Sequence, residues 1–528
     1  MKNGAGPRCR TGTVARFTLC LLLINLIWRT VRYALGFPIW GDEAFVVMNF
    51  VNRDFIGMIS PLEYGQIVPL GFMWAELAVT RILGLSEWAL RLLPYLAGVL
   101  SMLLFWQFAE KYFNRWIALL AVALFAASYY PVRHATEVKP YSIDLFVSLV
   151  MIYLSWAVYQ QPYQKKRWIL LIVIAVVSIW LSYPSVFVMG GVGLLLTYLV
   201  VSRKEAKFVG WWIAYGLCII ASFATMYFLY AKPHAAAAWP GDAPWTIEEW
   251  GAGFPPVKEP WKLPIWILDV HTGNMLAYPV GGVKGGSSLT SLLVLIGIVS
   301  LWRTSREMLL LLLGPLLFTF IAAAMHSYPY GTSARFSLYM APAFCLLAGI
   351  GLINVIKTLR PPRKIFRCAR VTVIVMALIA IGGIIRDVMQ PYKSLSDYEN
   401  RRVIQWLAQQ TRPSDQWISF NAANPKLTYV DNLYRRGGSG ARHRYYLHRL
   451  APVPLHWAPD PMEVASTPGS QIWLIVFKDD RVPFPEDLLD NYVQRLIKRL
   501  GEPRQHAFPL HHKRYAMEIE IYEFSGFQ

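Results

Sequence analysis

The sequence predicts a polytopic α-helical membrane protein of about eleven transmembrane helices. Interfacial helices follow in the first outer loop, and a small extracytoplasmic α/β domain closes the chain. The 528 residues are 55% apolar and only 16% charged, an apolar share well above that of soluble domains. Runs of roughly 18 to 22 apolar residues recur through the first 390 positions and then stop. Beyond them, short helix-like and strand-like segments alternate, so the chain divides into a transmembrane domain at 1–390 and a tail domain at 391–528.

In order, the apolar runs fall near 15–36, 88–108, 114–131, 141–159, 168–183, 185–201, 209–230, 289–303, 308–325, 336–356 and 370–389. Lys and Arg favour cytoplasmic loops and so set the orientation. With the N-terminus in the cytoplasm, Arg8, Arg16, Lys111, Arg115, Lys165, Lys166, Arg167, Arg203, Lys204, Arg303, Arg306, Lys357 and Arg360 all fall on that side. The net charge of +19 is therefore a topology signal and an attraction to anionic lipid. No aromatic-interleaved basic motif of a nucleic-acid binder competes with it.

The first run has a basic n-region like a signal peptide, but it is long, contains Arg29 and lacks a small-residue cleavage site. It reads as a retained span of a multi-pass protein of the plasma or inner membrane. Of the five cysteines, Cys9 and Cys368 fall on the cytoplasmic side and Cys20, Cys218 and Cys345 within runs, so structural disulfides are not expected.

In the first outer loop, Phe45, Met48, Val51 and Phe55 recur at spacings of three and four, the pattern of a helix lying on a membrane surface. "PLGFMWAELAVTRILG" at 69–84 is apolar enough for either a short span or a second interfacial helix, and the charge bookkeeping favours the interfacial helix. The Pro-, Gly- and Trp-rich loop 231–288 reads as irregular and lid-like. In the tail, helices at "DYENRRVIQWLAQQ" and "EDLLDNYVQRLIKRLG" alternate with strands at "QWISF", "QIWLIVF" and "AMEIEIYEF".

Chemistry-bearing residues gather at outer ends of the runs. Asp42 and Glu43 follow the first run in "WGDEAF". A helix start accounts for them through its free N–H groups and dipole. Carboxylates at a membrane edge are also functional candidates. "RHATEVKPYS" (133–142) crowds Arg133, His134, Glu137, Lys139 and Tyr141 into a loop that only has to turn the chain. Anchoring at the interface explains Arg133, Lys139 and Tyr141 but not Glu137. In "HSYPYGTSARF" (326–336), Arg335 either snorkels or offers a planar fork to a phosphate. Arg91 either joins these groups or pairs with Glu87 four residues before it, and the spacing favours the pair. His443, His448, His511 and His512 lack ligand spacing and are assigned to the tail surface, and no metal site is read.

The order of these motifs resembles the membrane glycosyltransferases of the C-type superfamily. "WGDEAF", then "YGQIVPLGFMWAELAVTRILGLSEWALRLLPYLAGVL", then "YYPVRHATEVKPYSIDLF" look like the branch of protein O-mannosyltransferases and lipid A aminoarabinose transferase. "YPYGTSARFSLYMAPAF" is similar to a later element of that branch. The resemblance covers residues 13–160 and 325–350, and is architectural elsewhere. It implies a fold of roughly 11–13 spans, a polyprenyl-phosphate sugar donor and transfer to a glycan, lipid or protein acceptor on the extracytoplasmic face. By position, Asp42 corresponds to the acid after the first span, and Glu137, Pro140 and Tyr141 to the second element. Lys139 stands where many relatives have Arg, keeping charge without the fork.

A lipid phosphate leaves as a stable anion, so the reaction needs a base for the acceptor hydroxyl. Asp42 is the expected base, with Glu43 or Glu137 orienting the acceptor. Arg335 and Lys139 meet the donor phosphate, with Tyr330 and Tyr141 as hydrogen-bond donors. The expected outcome is single displacement with inversion. No cofactor is required, although two acids suffice to hold a divalent cation. The alternative is a polytopic transporter or lipid exporter, which would place its polar groups at mid-membrane in two related halves.

Overall fold

The computed structural model describes residues 9–238, 251–282, 285–360, 362–420, 438–453, 455–456, 469–479, 484–511 and 516–525. The chain runs α1 (Cys9–Ala34), α2 (Gly41–Asn52), α3 (Leu70–Leu83), α4 (Leu92–Tyr112), α5 (Arg115–Ala126), α6 (Tyr129–Arg133), α7 (Tyr141–Gln160), α8 (Lys165–Leu181), α9 (Ser185–Arg203) and α10 (Ala206–Met226). It continues through α11 (Lys232–Ala238), α12 (Leu263–Thr272), α13 (Ser288–Thr304), α14 (Arg306–Ala324), α15 (Ala341–Leu359) and α16 (Pro362–Met389). Two units form. The first holds Met1–Ala34, Ile67–Glu76 and Arg91–Met389, and the second holds Leu35–Gln66, Leu77–Leu90 and Gln390–Gln528.

In the first unit each of the eleven apolar runs folds as a helix, namely α1, α4, α5, α7, α8, α9, α10, α13, α14, α15 and α16. Among the described residues, eight helical stretches are long and apolar enough to cross a membrane, and the pair α5 and α6, bent by 60°, makes a ninth if counted as one span. The other two, α8 and α13, have 17 residues each. At 1.5 Å per residue they reach only about 26 Å, against a hydrocarbon core of about 30 Å. By length and composition, eight or nine spans are supported among the described residues, short of the expected eleven. Helices α13 and α15 approach backbone to backbone, since a Cβ on Gly297 would overlap the Leu347 carbonyl and one on Gly351 the Leu293 carbonyl.

The loop expected to be irregular is helical at both of its described ends. A π-turn at Tyr227–Ala231 carries α10 into α11, and Pro264 in the first turn of α12 starts a second helix. Residues 239–250 and 283–284 lie outside the described residues, and with them the Trp- and Pro-rich "AWPGDAPW".

In the second unit, α2 forms where the first outer loop was expected to be helical. Ala44, Val46, Val47 and Met48 are fully buried and Phe50 nearly so, while Phe55 lies beyond the helix end and is exposed. The buried face packs against a tail helix, so protein covers part of what the spacing assigned to lipid.

The rest of the second unit is α17 (Leu395–Gln410), β1 (Gln416–Ser419), α18 (Gly438–Leu450), β2 (Leu455–His456), β3 (Gln471–Asp479), α19 (Glu486–Leu500), β4 (Arg504–Leu510) and β5 (Met517–Ser525). The sheet order is β2-β1-β3-β5-β4, parallel at β1 with β2 and β3, antiparallel at β5 with β3 and β4. Period-two alternation sends Ile472, Leu474 and Val476 into a core with Leu489, Val493 and Leu496 of α19. Phe477 faces the other way and stacks on His443 of α18 at 4.9 Å. His443, assigned to the surface from sequence, is thus buried inside the tail. His511 is exposed as expected, and His512 lies outside the described residues. Glu87, expected beside Arg91, has Arg401 at 3.8 Å.

Candidate functional site

The polar turn at 133–142 is built by a broken helix. Every residue of α5 from Ala118 to Ala126 is buried, as in a helix that is apolar all round. Pro131 has no N–H to give and its ring crowds the preceding turn, so the helix cannot run on unbroken. The carbonyls freed near the bend are taken by α1. Asn25 Nδ2 donates to the Ala126 carbonyl at 2.8 Å and Arg29 Nη1 to that of Pro131 at 2.6 Å. Arg32 Nε donates to Thr136 Oγ1 at 2.9 Å, and that hydroxyl donates to the Arg133 carbonyl at 3.0 Å. Arg32 is itself held by Asp387 of α16 at 2.7 Å, whose other oxygen accepts from Trp28 Nε1 at 2.8 Å.

On this braced turn sits Glu137, 4% exposed. Arg133 Nε donates to its Oε1 at 2.8 Å and His134 Nδ1 to its Oε2 at 2.6 Å. The carboxylate is therefore ion-paired and its hydrogen bonds are charge-assisted. His134 packs edge-on against Tyr141 with ring centroids 5.0 Å apart. Arg335 lies within electrostatic reach of His134 and of Tyr328, and Tyr328 also senses Tyr141. Glu137, Tyr141 and Arg335 are thus brought into one neighbourhood, with Lys139 buried on the same turn.

Tyr330 is placed otherwise. His271 donates from Nδ1 to the Ile267 carbonyl at 2.7 Å, which leaves Nε2 to accept from the Tyr330 hydroxyl at 3.2 Å. Burial pushes His271 below its ordinary range and the Tyr330 phenol above its own, keeping both neutral. The tyrosine beside Arg335 is Tyr328, whose hydroxyl donates to the Phe336 carbonyl at 3.1 Å. Two tyrosines separated by one residue in "YPY" give no sign from sequence of which one turns inward.

Asp42 and Glu43 belong to the second unit, at the start of α2. Glu43 is fully buried and its Oε2 accepts from the Trp40 backbone N–H at 3.3 Å, the return bond of a helix cap. Asp42, one residue earlier, is half-buried in the first turn, where the helix dipole favours its negative charge. The approach to Asp42 is braced within that unit. The Ile39 N–H donates to the Tyr446 hydroxyl at 2.8 Å, Arg401 Nη1 donates to the Gly36 carbonyl at 2.6 Å, and the Lys393 ammonium lies over the Trp40 ring. Among the described residues, no three His, Cys, Asp or Glu side chains converge to hold a metal ion.

Residues 68–229 match the model of the family described as dolichyl-phosphate-mannose-protein mannosyltransferase. The matched stretch runs from α3 to α10 and contains the whole 133–142 turn. The fold is similar to that of ArnT from Cupriavidus metallidurans. In the apo state that protein is 12% identical, with 97% of this chain and 98% of that one covered and a TM-score of 0.51. Bound to undecaprenyl phosphate it is 14% identical, with 96% and 98% covered and a TM-score of 0.52. No curated protein matches the sequence.

Proposed function

We infer that this chain is a membrane glycosyltransferase of the C-type superfamily that moves a sugar from a polyprenyl-phosphate donor to an acceptor hydroxyl on the extracytoplasmic face. The observation that carries this is a coincidence of two findings. The matched family segment contains the polar cluster of Arg133, His134, Glu137, Lys139 and Tyr141, set on a turn braced from two other helices. A lipid-phosphate donor is supported by the fold shared with ArnT, of which one structure holds undecaprenyl phosphate.

The roles follow from charge. The acceptor oxygen attacks the anomeric carbon from the face opposite the phosphate while its proton passes to the Asp42 carboxylate. The anomeric C–O bond to phosphate breaks in the same displacement, polyprenyl phosphate departs as an anion, and the configuration inverts. Arg335 and Lys139 neutralise the departing phosphate, with Tyr141 as a hydrogen-bond donor. Glu43 serves the helix that carries Asp42, and Glu137 holds Arg133 and His134 in place beside the donor. Multi-pass insertion keeps the prenyl chain in lipid throughout.

The test is transfer of label from a radiolabelled polyprenyl-phosphate sugar to envelope acceptors by the purified chain, with and without a chelator. Wild-type protein is expected to transfer, and Asp42→Asn to lower the rate at least about 100-fold. Unimpaired transfer by Asp42→Asn removes that residue from the base role. Movement of the intact lipid across the membrane without transfer overturns the enzyme reading in favour of a transporter.

A further inference from the structure

We propose that Asp144 forms a sugar-recognition subsite in the first unit, its carboxylate accepting hydrogen bonds from hydroxyl or amino groups of the donor's sugar. This rests on the donor reading above and adds which residues face the sugar rather than the phosphate.

Asp144 lies in the first turn of α7, one turn after Tyr141, and is 5% exposed. Among the described residues its Oδ1 has no hydrogen-bond partner and the carboxylate has no ion pair, while Ser182 at the end of α8 faces it. The contrast with Glu137 is direct, because both oxygens of Glu137 are already taken by Arg133 and His134.

Asp144 also lies close to two buried tyrosines, Tyr328 and Tyr339. Tyr328 lies within electrostatic reach of Asp144, Tyr141, Tyr339 and Arg335, which joins this carboxylate to the neighbourhood of the 133–142 turn. Ser182 hydrogen-bonds the Asp144 carboxylate, and among the described residues the Ser142 hydroxyl, on the same helix end, is buried with no partner. Buried polar groups are normally hydrogen-bonded, so an open carboxylate oxygen at this depth marks a place that something polar fills.

Charge then selects the occupant. A phosphate is repelled by Asp144 and is met by Arg335 and Lys139. A sugar ring offers several hydroxyls, each a donor to a carboxylate and an acceptor from a serine or tyrosine hydroxyl.

The test uses the full chain in lipid nanodiscs and compares its affinity for bare polyprenyl phosphate with that for polyprenyl phosphate carrying mannose, glucose or 4-amino-4-deoxyarabinose. Wild-type protein is expected to prefer at least one sugar-bearing lipid to the bare one. Asp144→Asn is expected to weaken that lipid about 10- to 100-fold, as for hydrogen bonds to a charged group. Bare polyprenyl phosphate should change by no more than about twofold, which also certifies the fold, and Ser182→Ala should lose less in the same direction. The subsite is overturned if Asp144→Asn weakens bare and sugar-bearing lipids alike, if the preference survives it, or if wild-type protein prefers none of the three. Wild-type protein that binds none of the four lipids overturns the donor reading itself and the subsite with it.

Discussion

Glu137 enters any reaction already paired, with Arg133 at 2.8 Å and His134 at 2.6 Å, whereas Asp144 on the next turn has an open oxygen. From sequence the two were not equally visible. Glu137 stood out because interfacial anchoring gives no reason for an acid there. Asp144 reads as an ordinary carboxylate in a first helical turn, and only burial without partners sets it apart. Glu43 shows the opposite case, since the bland reading of a helix cap is the one its hydrogen bond supports.

His443 reads as a surface residue from sequence because its neighbours Arg442 and Arg444 are charged. Burial pushes its imidazole down to about 3, against about 6.5 in an unfolded chain. The unfolded state therefore binds the proton more tightly. The stabilising difference is fully present above pH of about 6.5 and is lost as pH falls toward about 3, amounting to about 2 kcal/mol by pH 5. Hydrogen exchange of residues 438–450, corrected for intrinsic rates, should accelerate between pH 7.5 and 5. His443→Phe, which keeps the stack on Phe477, should flatten that dependence, and an unchanged slope would show that His443 does not set it.

At the scale of elements, apolar runs announced every membrane helix, yet their count as spans depended on length that the run boundaries do not give. In the tail, α18 gives no helix signal, because "GSGARHRYYLHRL" has no apolar stripe until its partners are known. Strand β4 gives no strand signal because Pro509 interrupts "RQHAFPL", and an edge strand is where a sheet tolerates proline. The contact between α1 and α16 was invisible, since Arg32 and Asp387 are separated by almost the whole first unit. That pair is buried on both sides, at 5% and 3% exposure, and through Thr136 it braces the turn carrying Glu137. Asp387→Leu alone leaves the buried Arg32 guanidinium without its carboxylate and should cost about 3–5 kcal/mol, while Arg32→Met should cost less, because Arg386 Nη2 stays 3.3 Å from Asp387. The double variant should recover most of that stability, read as the melting temperature in detergent. Additive losses would mean that the two residues act independently.

For the whole molecule, a boundary at 390 follows order along the chain, while contacts group Leu35–Gln66 and Leu77–Leu90 with the tail. Sequence neighbourhood gave no hint of this, because the partners of α2 lie some 400 residues away. Within that unit the Ile39 N–H donates to Tyr446, Arg401 to the Gly36 carbonyl and Arg444 to the Tyr64 hydroxyl, and α2 packs on α18. A chain ending at Met389 loses all of these. Val46, Val47, Met48 and Phe50 would be uncovered, at about 1.5–3 kcal/mol for each fully buried side chain. A helix of 12 residues is marginal on its own and cannot carry that loss. The truncated protein is therefore expected to keep the helical circular dichroism of its first unit, to be cut by protease within residues 41–52, and to transfer no sugar. Protection of that stretch in the truncated chain would show that α2, and the Asp42 it presents, stands without the tail.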